Sequence, residues 1–467
     1  MKLHKSFALV FGLLLSAAAV MGQTPKYVFY FIGDGMGMNQ VNGTETYLAA
    51  LEGRIGIQPL CFGNFPHTAI VTTHSASNGI TDSAAGGTAL ATGHKTYNGA
   101  IGLLPDSVTP VSSVAKWAQA AGKAVGIATS VSVDHATPAS FYAHQTYRGK
   151  YHEIGLDLIQ SGFDFFAGSD FLKPKAPKGG KDLYALCADA GYSIVRGMDE
   201  WAKRKSAGRF ILLQSLAASE RDRSALPYAL DRKEGDLTLP QITRAAIEHL
   251  TSRGKNGFFV MIEGGKIDWA CHSNDAATVF EEVRDFDEAI KVAYAFYQQH
   301  PDETLIVVTA DHETGGIGLG NSNYTLRTDL LRHQRMSSYE YSTHLKDLMK
   351  RLGSEFNYAA LRADLEAHFE FWKSVPLTEK QEDRLEKAFD ELIEHRDRNS
   401  ESMYASELAI ADLAKRILNE QAKLGWTSGQ HTHGYVPVFA IGAGAEAFHG
   451  RIDNTDVPKL IGRVAGY

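Results

Sequence analysis

Cysteine is scarce. The 467 residues contain three, Cys61, Cys187 and Cys271. No two stand in a CxxC spacing, which excludes a structural zinc site built on thiolate pairs. An odd count allows one disulfide at most and leaves a thiol over. Positive charge is not in surplus either. Lys and Arg number 47 against 54 Asp and Glu, a formal net charge of -7. That excludes a polybasic surface for nucleic acid or anionic membrane. An apolar run long enough to span a bilayer is also missing. The run at the N-terminus, Phe7 to Val20, has fourteen residues, where about 20 are needed. Lys2 and Lys5 precede it and small residues follow near Gly22, the pattern of a secretory signal. Residues 1–22 are therefore expected to be removed, with a mature start near Gln23 and a periplasmic or secreted location. No cysteine follows the run to carry a lipid anchor. Repeats and low-complexity tracts are absent from the sequence.

What is present is an ordinary soluble composition, 44% hydrophobic and 22% charged. The length suits one large α/β core with an elaboration. Runs rich in Val, Ile and Phe predict buried strands at Tyr27–Ile32, Ala69–Thr72, Ala124–Ala128, Phe258–Ile262 and Thr304–Thr309. Helical spacing lies between them, at Ser112–Ala121, Ile242–Leu250 and Val279–Gln298. The alternation predicts a mostly parallel central sheet with helices on both faces. From about Asn321 to Leu424 the chain turns charged and helical, with a capping box at Thr378 and Gln381. Strand texture returns at Val436–Ile441. Residues 321–425 are thus expected as a helical insertion within one domain spanning 23–467.

Three of the strands run into a carboxylate followed by glycine. Tyr27–Ile32 leads to Gly33-Asp34-Gly35, Phe258–Ile262 to Glu263-Gly264-Gly265 with Asp268 beyond, and Thr304–Thr309 to Asp311-His312-Glu313. Ligands bind at the carboxyl ends of strands in such sheets. Any one of these acids could be a turn or cap residue. Three converging on one edge would repel unless cations neutralised them. Asp268 and His272 are four apart, one face of a helix and a ligand spacing. Asp311 and His312 are adjacent, and His431 and His433 follow Gly429. Mixed His and Asp sets suit zinc, oxygen-only sets magnesium. The segment Thr81-Asp82-Ser83-Ala84-Ala85-Gly86-Gly87 offers a serine where a helix begins. Locally the N-cap is the favoured reading of this serine, ahead of a metal-activated nucleophile.

Taken together, the segments GDGMG at 33–37, TDSAAGGTA at 81–89, HATPA at 135–139, EGGKIDWACH at 263–272, TADHETGG at 309–316 and HTHGYVPVFAIG at 431–442 resemble the alkaline phosphatase family, in order. The resemblance implies hydrolysis of phosphate monoesters through a phosphoserine on Ser83, with two zinc ions and one magnesium. It implies Asp268, His272 and His431 as ligands of one zinc, Asp34, Asp311 and His312 as ligands of the other, and Asp34, Thr137 and Glu263 as ligands of magnesium. Thr137 precedes Pro138, so a plain helix cap is its other reading. Arg148 falls where the family places its phosphate-binding arginine, and a guanidinium fork matches two phosphate oxygens. His135 stands where other members carry Asp, which puts the identity of the third metal in question; it could ligate that metal directly or through water. Trp269 stands where some carry Lys. A homodimer is an assembly the resemblance allows. A sulfatase would need a C/S-x-P-x-R motif, which is absent from the sequence. A diesterase would generally lack the third metal site. A non-catalytic metal- or phosphate-binding protein would need no Ser83.

Overall fold

The computed structural model describes residues 24–177, 179–205, 208–394 and 399–467. The expected signal segment, 1–22, lies outside these. A single ten-stranded sheet organises the molecule. Its strands in chain order are β1 (Tyr27–Gly33), β2 (His67–Thr72), β3 (Ala124–Thr129), β4 (Phe165–Gly168), β5 (Tyr192–Arg196), β6 (Arg209–Leu213), β7 (Phe258–Gly264), β8 (Thr304–Thr309), β9 (Val436–Gly442) and β10 (Gly450–Asp453). Across the sheet they lie in the order β10-β2-β9-β8-β1-β7-β3-β4-β6-β5. All pairs are parallel except those of β9, which runs antiparallel to β8 and β2.

The central strands are apolar throughout because both their faces are covered. β1 shows how. Phe29 and Phe31 meet Phe296 and Phe286 of the helix Ala276–Gln299, with ring centroids 5.6 and 5.8 Å apart. Tyr30, between them, points to the other face. There its ring meets Phe141 and its hydroxyl donates to the Leu90 carbonyl at 3.2 Å, in the helix Ser83–Thr92.

Four strands lie outside the runs picked from sequence: β4, β5, β6 and β10. All are four or five residues long, and β5 and β10 are only part-buried. β5 and β10, at the margins, offer few buried positions, and β4 and β6, though buried, are too short to stand out as a period.

Register places the site. Ile32 of β1 pairs with Glu263 of β7 and with Thr309 of β8, and Glu263 pairs with Thr129 of β3. The carboxyl ends of these strands therefore finish level at one edge. β9 is reversed, so its beginning, just after His431, reaches that same edge.

Beyond β8 the chain pairs Gly318–Leu319 with Leu424–Gly425. Between these two short strands lie the helices Ser338–Leu352, Tyr358–Phe369, Glu379–Ile393 and Ala409–Ala422. Leu361, Leu365 and Phe369 are fully buried at helical spacing. The Thr378 amide donates to Gln381 Oε1 at 3.0 Å, the backward half of a capping box.

Candidate active site

At the level edge of the sheet the side chains form three ligand-sized groups. They are Asp268 with His272 and His431, Asp34 with Asp311 and His312, and Asp34 with His135 and Glu263. Within each, one donor atom per residue lies within 4.8 Å of the others. His272 Nε2 is 3.3 Å from Asp268 Oδ2, and His431 Nε2 is 3.6 Å from Asp268 Oδ1. His312 Nε2 is 3.3 Å from both Asp34 Oδ1 and Asp311 Oδ2. Asp34 belongs to two groups, which joins them.

The local structure explains how the residues meet. Asp268 and His272 sit on the helix Lys266–His272, hung directly from the end of β7. Gly35 follows Asp34 with a positive φ of 71°. A Cβ there would stand 2.9 Å from Asp268 Oδ1 and Thr314 Oγ1, so only glycine permits the approach. The Gly35 amide donates to Asp311 Oδ1 at 3.2 Å.

The imidazoles are oriented from behind. Nδ1 of His272 lies 2.7 Å from the Gly429 carbonyl, and Nδ1 of His431 lies 2.8 Å from the Thr81 carbonyl. A carbonyl only accepts, so each Nδ1 carries the proton and each Nε2 turns its lone pair inward. Those two Nε2 atoms are 3.2 Å apart. His433 instead contacts the Gly79 carbonyl at the surface and joins none of the groups.

The carboxylates are buried and short of donors. Asp34 Oδ1, Glu263 Oε1, Asp268 Oδ2 and Asp311 Oδ2 have no hydrogen-bond partner among the described residues, nor has His135 Nδ1. Leaving buried acceptors unmatched is costly. Burial, and then neighbouring carboxylates (Asp311, Asp268 and Glu263 for Asp34; Asp268 and Glu263 for Asp311), push both well above the usual carboxylate range. Burial lifts Glu263 to about 7, against the pull of Thr129 and Thr137. Asp268 goes the other way: despite its burial, His272, His431 and His312 hold it low. Burial and Arg148 press His135 down to about 3. Inward lone pairs and unmatched anionic oxygens are what cations satisfy, so the residues fit bound metal ions.

Ser83 opens the helix Ser83–Thr92 as its first residue. The cap is Asp82, whose Oδ1 accepts from the Ala85 amide at 3.0 Å. The capping alternative for Ser83 therefore falls to its neighbour. The freed hydroxyl is fully buried and lies 3.2 Å from His312 Nε2. Thr137 likewise is not the cap of its helix, a position held by His135. Its hydroxyl donates to Asp34 Oδ2 at 3.4 Å. Arg148 reaches in from a loop, held by Asp82 Oδ2 at 3.1 Å, with its other nitrogen 3.4 Å from His135 Nε2. Cys271 is buried against Gln40 and, like Cys61 and Cys187, free.

Tyr404 was not singled out from sequence. It comes from the hairpin Ser400–Glu401 with Ser406–Glu407, ahead of the last helix of the helical segment. Its ring stacks on Trp269 at 4.3 Å and stands edge-on to His272 at 5.4 Å. Its hydroxyl is 3.5 Å from Arg148 Nη2. Nothing in its local sequence marks it; only the packing of the segment over the sheet edge does.

A parallel-sheet fold with carboxylates and imidazoles gathered in ligand-sized groups, beside a serine at a helix start, defines a hydrolase of the phosphatase class. The chain belongs to the alkaline phosphatase family, whose model matches residues 25–164 and 167–467. Alkaline phosphatase 3 of Bacillus subtilis is 30% identical over 451 residues, 95% of this chain and 89% of that one. The solved cold-active alkaline phosphatase of a psychrophilic Shewanella shares 28% identity with a TM-score of 0.77, over 94% of this chain and 99% of that one. A histidine-to-aspartate mutant of the alkaline phosphatase from the Antarctic bacterium TAB5, solved with magnesium in its M3 site, shares 26% identity with a TM-score of 0.65, over 96% and 99%. The chain is thus an enzyme of this family.

Proposed function

We propose that the chain hydrolyses phosphate monoesters to an alcohol and inorganic phosphate through a phosphoserine on Ser83, with two zinc ions and one magnesium. The observation that carries this is the Ser83 hydroxyl. It is uncapped and buried, at a helix N-terminus, 3.2 Å from an imidazole of a metal-type group. Asp268, His272 and His431 would hold one zinc, and Asp34, Asp311 and His312 the other. Asp34, Thr137 and Glu263 supply an oxygen set that suits magnesium, with His135 beside it. The TAB5 relative holds magnesium in its M3 site once a histidine there is replaced by aspartate, so His135 bears on which metal the third position takes. Bound metals would lower the pKa of hydroxyl and water and offset charge on the leaving oxygen.

The chain's own residues do the rest. Arg148 binds two phosphoryl oxygens with its fork, and Asp82 keeps that fork in place. The free amides at the start of the helix Ser83–Thr92 favour the dianion. Ser83 Oγ bonds to phosphorus as the ester oxygen leaves and takes up a proton. Water then attacks the phosphoserine, its oxygen goes to phosphate, and Ser83 regains a proton. Tyr404 and Trp269 wall the opening. Four carboxylates facing three dications and Arg148 leave a net positive pocket in an acidic protein, which draws anions.

We read residues 1–22 as an export signal and 321–425 as an insertion in one α/β domain. The experiment for the chemistry is rapid quenching with an aryl phosphate, followed by mass mapping. Phosphate on Ser83, and turnover of the monoester far above that of a bis-ester or sulfate ester, is the expected result. Label on another residue, or none with turnover intact in Ser83→Ala, would refute it.

A further inference from the structure

The helical segment holds a second group of ligand-type side chains. His344 lies on the helix Ser338–Leu352, and Asp364 and His368 lie on the next, Tyr358–Phe369. Asp364 and His368 are four residues apart, so they share a face. One oxygen of Asp364 and one nitrogen of each imidazole lie within 4.8 Å of one another. His344 Nε2 is 2.8 Å from Asp364 Oδ1, and His368 Nδ1 is 3.5 Å from Asp364 Oδ2. The arrangement repeats that of Asp268, His272 and His431: an Asp–His pair one turn apart on one helix, completed by an imidazole from another element.

Each oxygen of Asp364 has an imidazole nitrogen near it, close on the His344 side at 2.8 Å and loose on the His368 side at 3.5 Å. His368 Nδ1 lies 2.9 Å from the Asp364 backbone carbonyl, so its proton points there and the lone pair stays on Nε2. Asp364 Oδ2 is buried with no hydrogen-bond partner among the described residues. A second polar group stands beside it. Tyr341 is fully buried, with its ring centroid 6.0 Å from that of His344 and 5.7 Å from that of His368. Its hydroxyl faces and interacts with the Asp364 carboxylate, without reaching good hydrogen-bond geometry. The imidazoles remain open to solvent, His344 by 29% and His368 by 20% of the side chain, so an ion can enter and keep a water.

We propose that His344, Asp364 and His368 form a further metal site, distinct from the catalytic groups, that binds a zinc-like divalent ion. Two imidazoles, one carboxylate and an open fourth position suit zinc. The ion takes the place of the proton shared by His344 and Asp364 and ties the two helices together. The Tyr341 hydroxyl is left to donate to the carboxylate from behind.

The test compares the full mature enzyme with the double variant His344→Gln/His368→Gln. Both are stripped with chelator, equilibrated with micromolar zinc chloride, and measured for zinc per chain by elemental mass spectrometry. The wild type should hold one more zinc than the variant, while aryl phosphate turnover of the two agrees within about twofold. Cobalt loaded in place of zinc should add a four-coordinate visible band in the wild-type-minus-variant difference. Equal zinc contents, or an extra equivalent seen only at millimolar zinc, would overturn the site. Should the double variant fail to fold, Asp364→Asn is read by the same two measurements. Loss of turnover in Ser83→Ala bears only on the catalytic reading, so the two proposals fail separately.

Discussion

Two Asp–His–His groups stand in this molecule, and they differ in what surrounds them rather than in local pattern. Asp268 and His272 belong to a helix of seven residues hung from β7, and His431 closes on them from a short strand, His431–Thr432, ahead of β9. The Asp268 and His272 side chains have no exposure, and that of His431 has 7%. His344, Asp364 and His368 bridge two longer helices and are open by 29%, 11% and 20%. Charges interact more strongly as water is excluded. The buried group, whose His431 stacks on His312 at 3.6 Å, therefore suits the chemistry proposed at Ser83. The half-open group holds two helices together and has no nucleophile beside it. An i, i+4 pair is a ligand signal, and its surroundings decide the chemistry.

Substitutions in and around the two groups test that difference. The largest effect belongs to Ser83. Ser83→Ala should lower turnover by about 10³-fold or more with metal content intact, since it removes the nucleophile and little else. Unchanged turnover would erase the chemical distinction between the groups. Next come the paired carboxylates. Asp268→Asn should cost about 10²-fold or more in activity, whereas Asp364→Asn should change it less than about twofold. Equal losses would show that the outer group belongs to the same machinery. Chelation should abolish activity, with zinc and magnesium together restoring it; activity that survives metal-free dialysis would break the reading of the inner group.

A third effect falls on the scaffold. Lys415 is buried and pairs with Glu407 at 2.8 Å and Asp412 at 3.2 Å, which fixes the hairpin that carries Tyr404. Lys415→Met leaves Glu407 buried without its cation. It should lower stability by about 3–5 kcal/mol in equilibrium denaturation. The smallest effect is at Tyr404 itself. Tyr404→Phe keeps the stack on Trp269 and removes one polar contact to Arg148. It should raise KM for monoesters by about two- to tenfold and leave kcat nearly unchanged.

Legibility in the sequence followed the length and apolar content of each run rather than burial alone, since β4 and β6 are buried but short. β1, β3, β7 and β8 are apolar on both faces, so their runs were plain, and the acids that end them marked the sheet edge. β5 shows why others were not: Tyr192-Ser193-Ile194-Val195-Arg196 is short, mixed and only part-buried. The Ser83 segment was ambiguous by a single residue. Whether Asp82 or Ser83 caps the helix decides whether the serine is free, and both are good caps. Tyr404 and the His344 group were invisible for another reason. They depend on how helices and a hairpin pack on one another, which no short motif records.

The reversal of β9 has a consequence for how the enzyme comes into being. His431 precedes that strand, after the whole helical segment, yet Asp34 lies at the end of the first strand. A polypeptide emerges amino end first. Asp268 and His272 are made long before His431, the imidazole that completes their ligand-type group, and Asp34 and Ser83 are made earlier still. A nascent or prematurely stopped chain thus carries carboxylates with no closed cage around them. On the proposed reading, competence arrives only once the chain has passed His431, with β9, β10 and the final helix still to come.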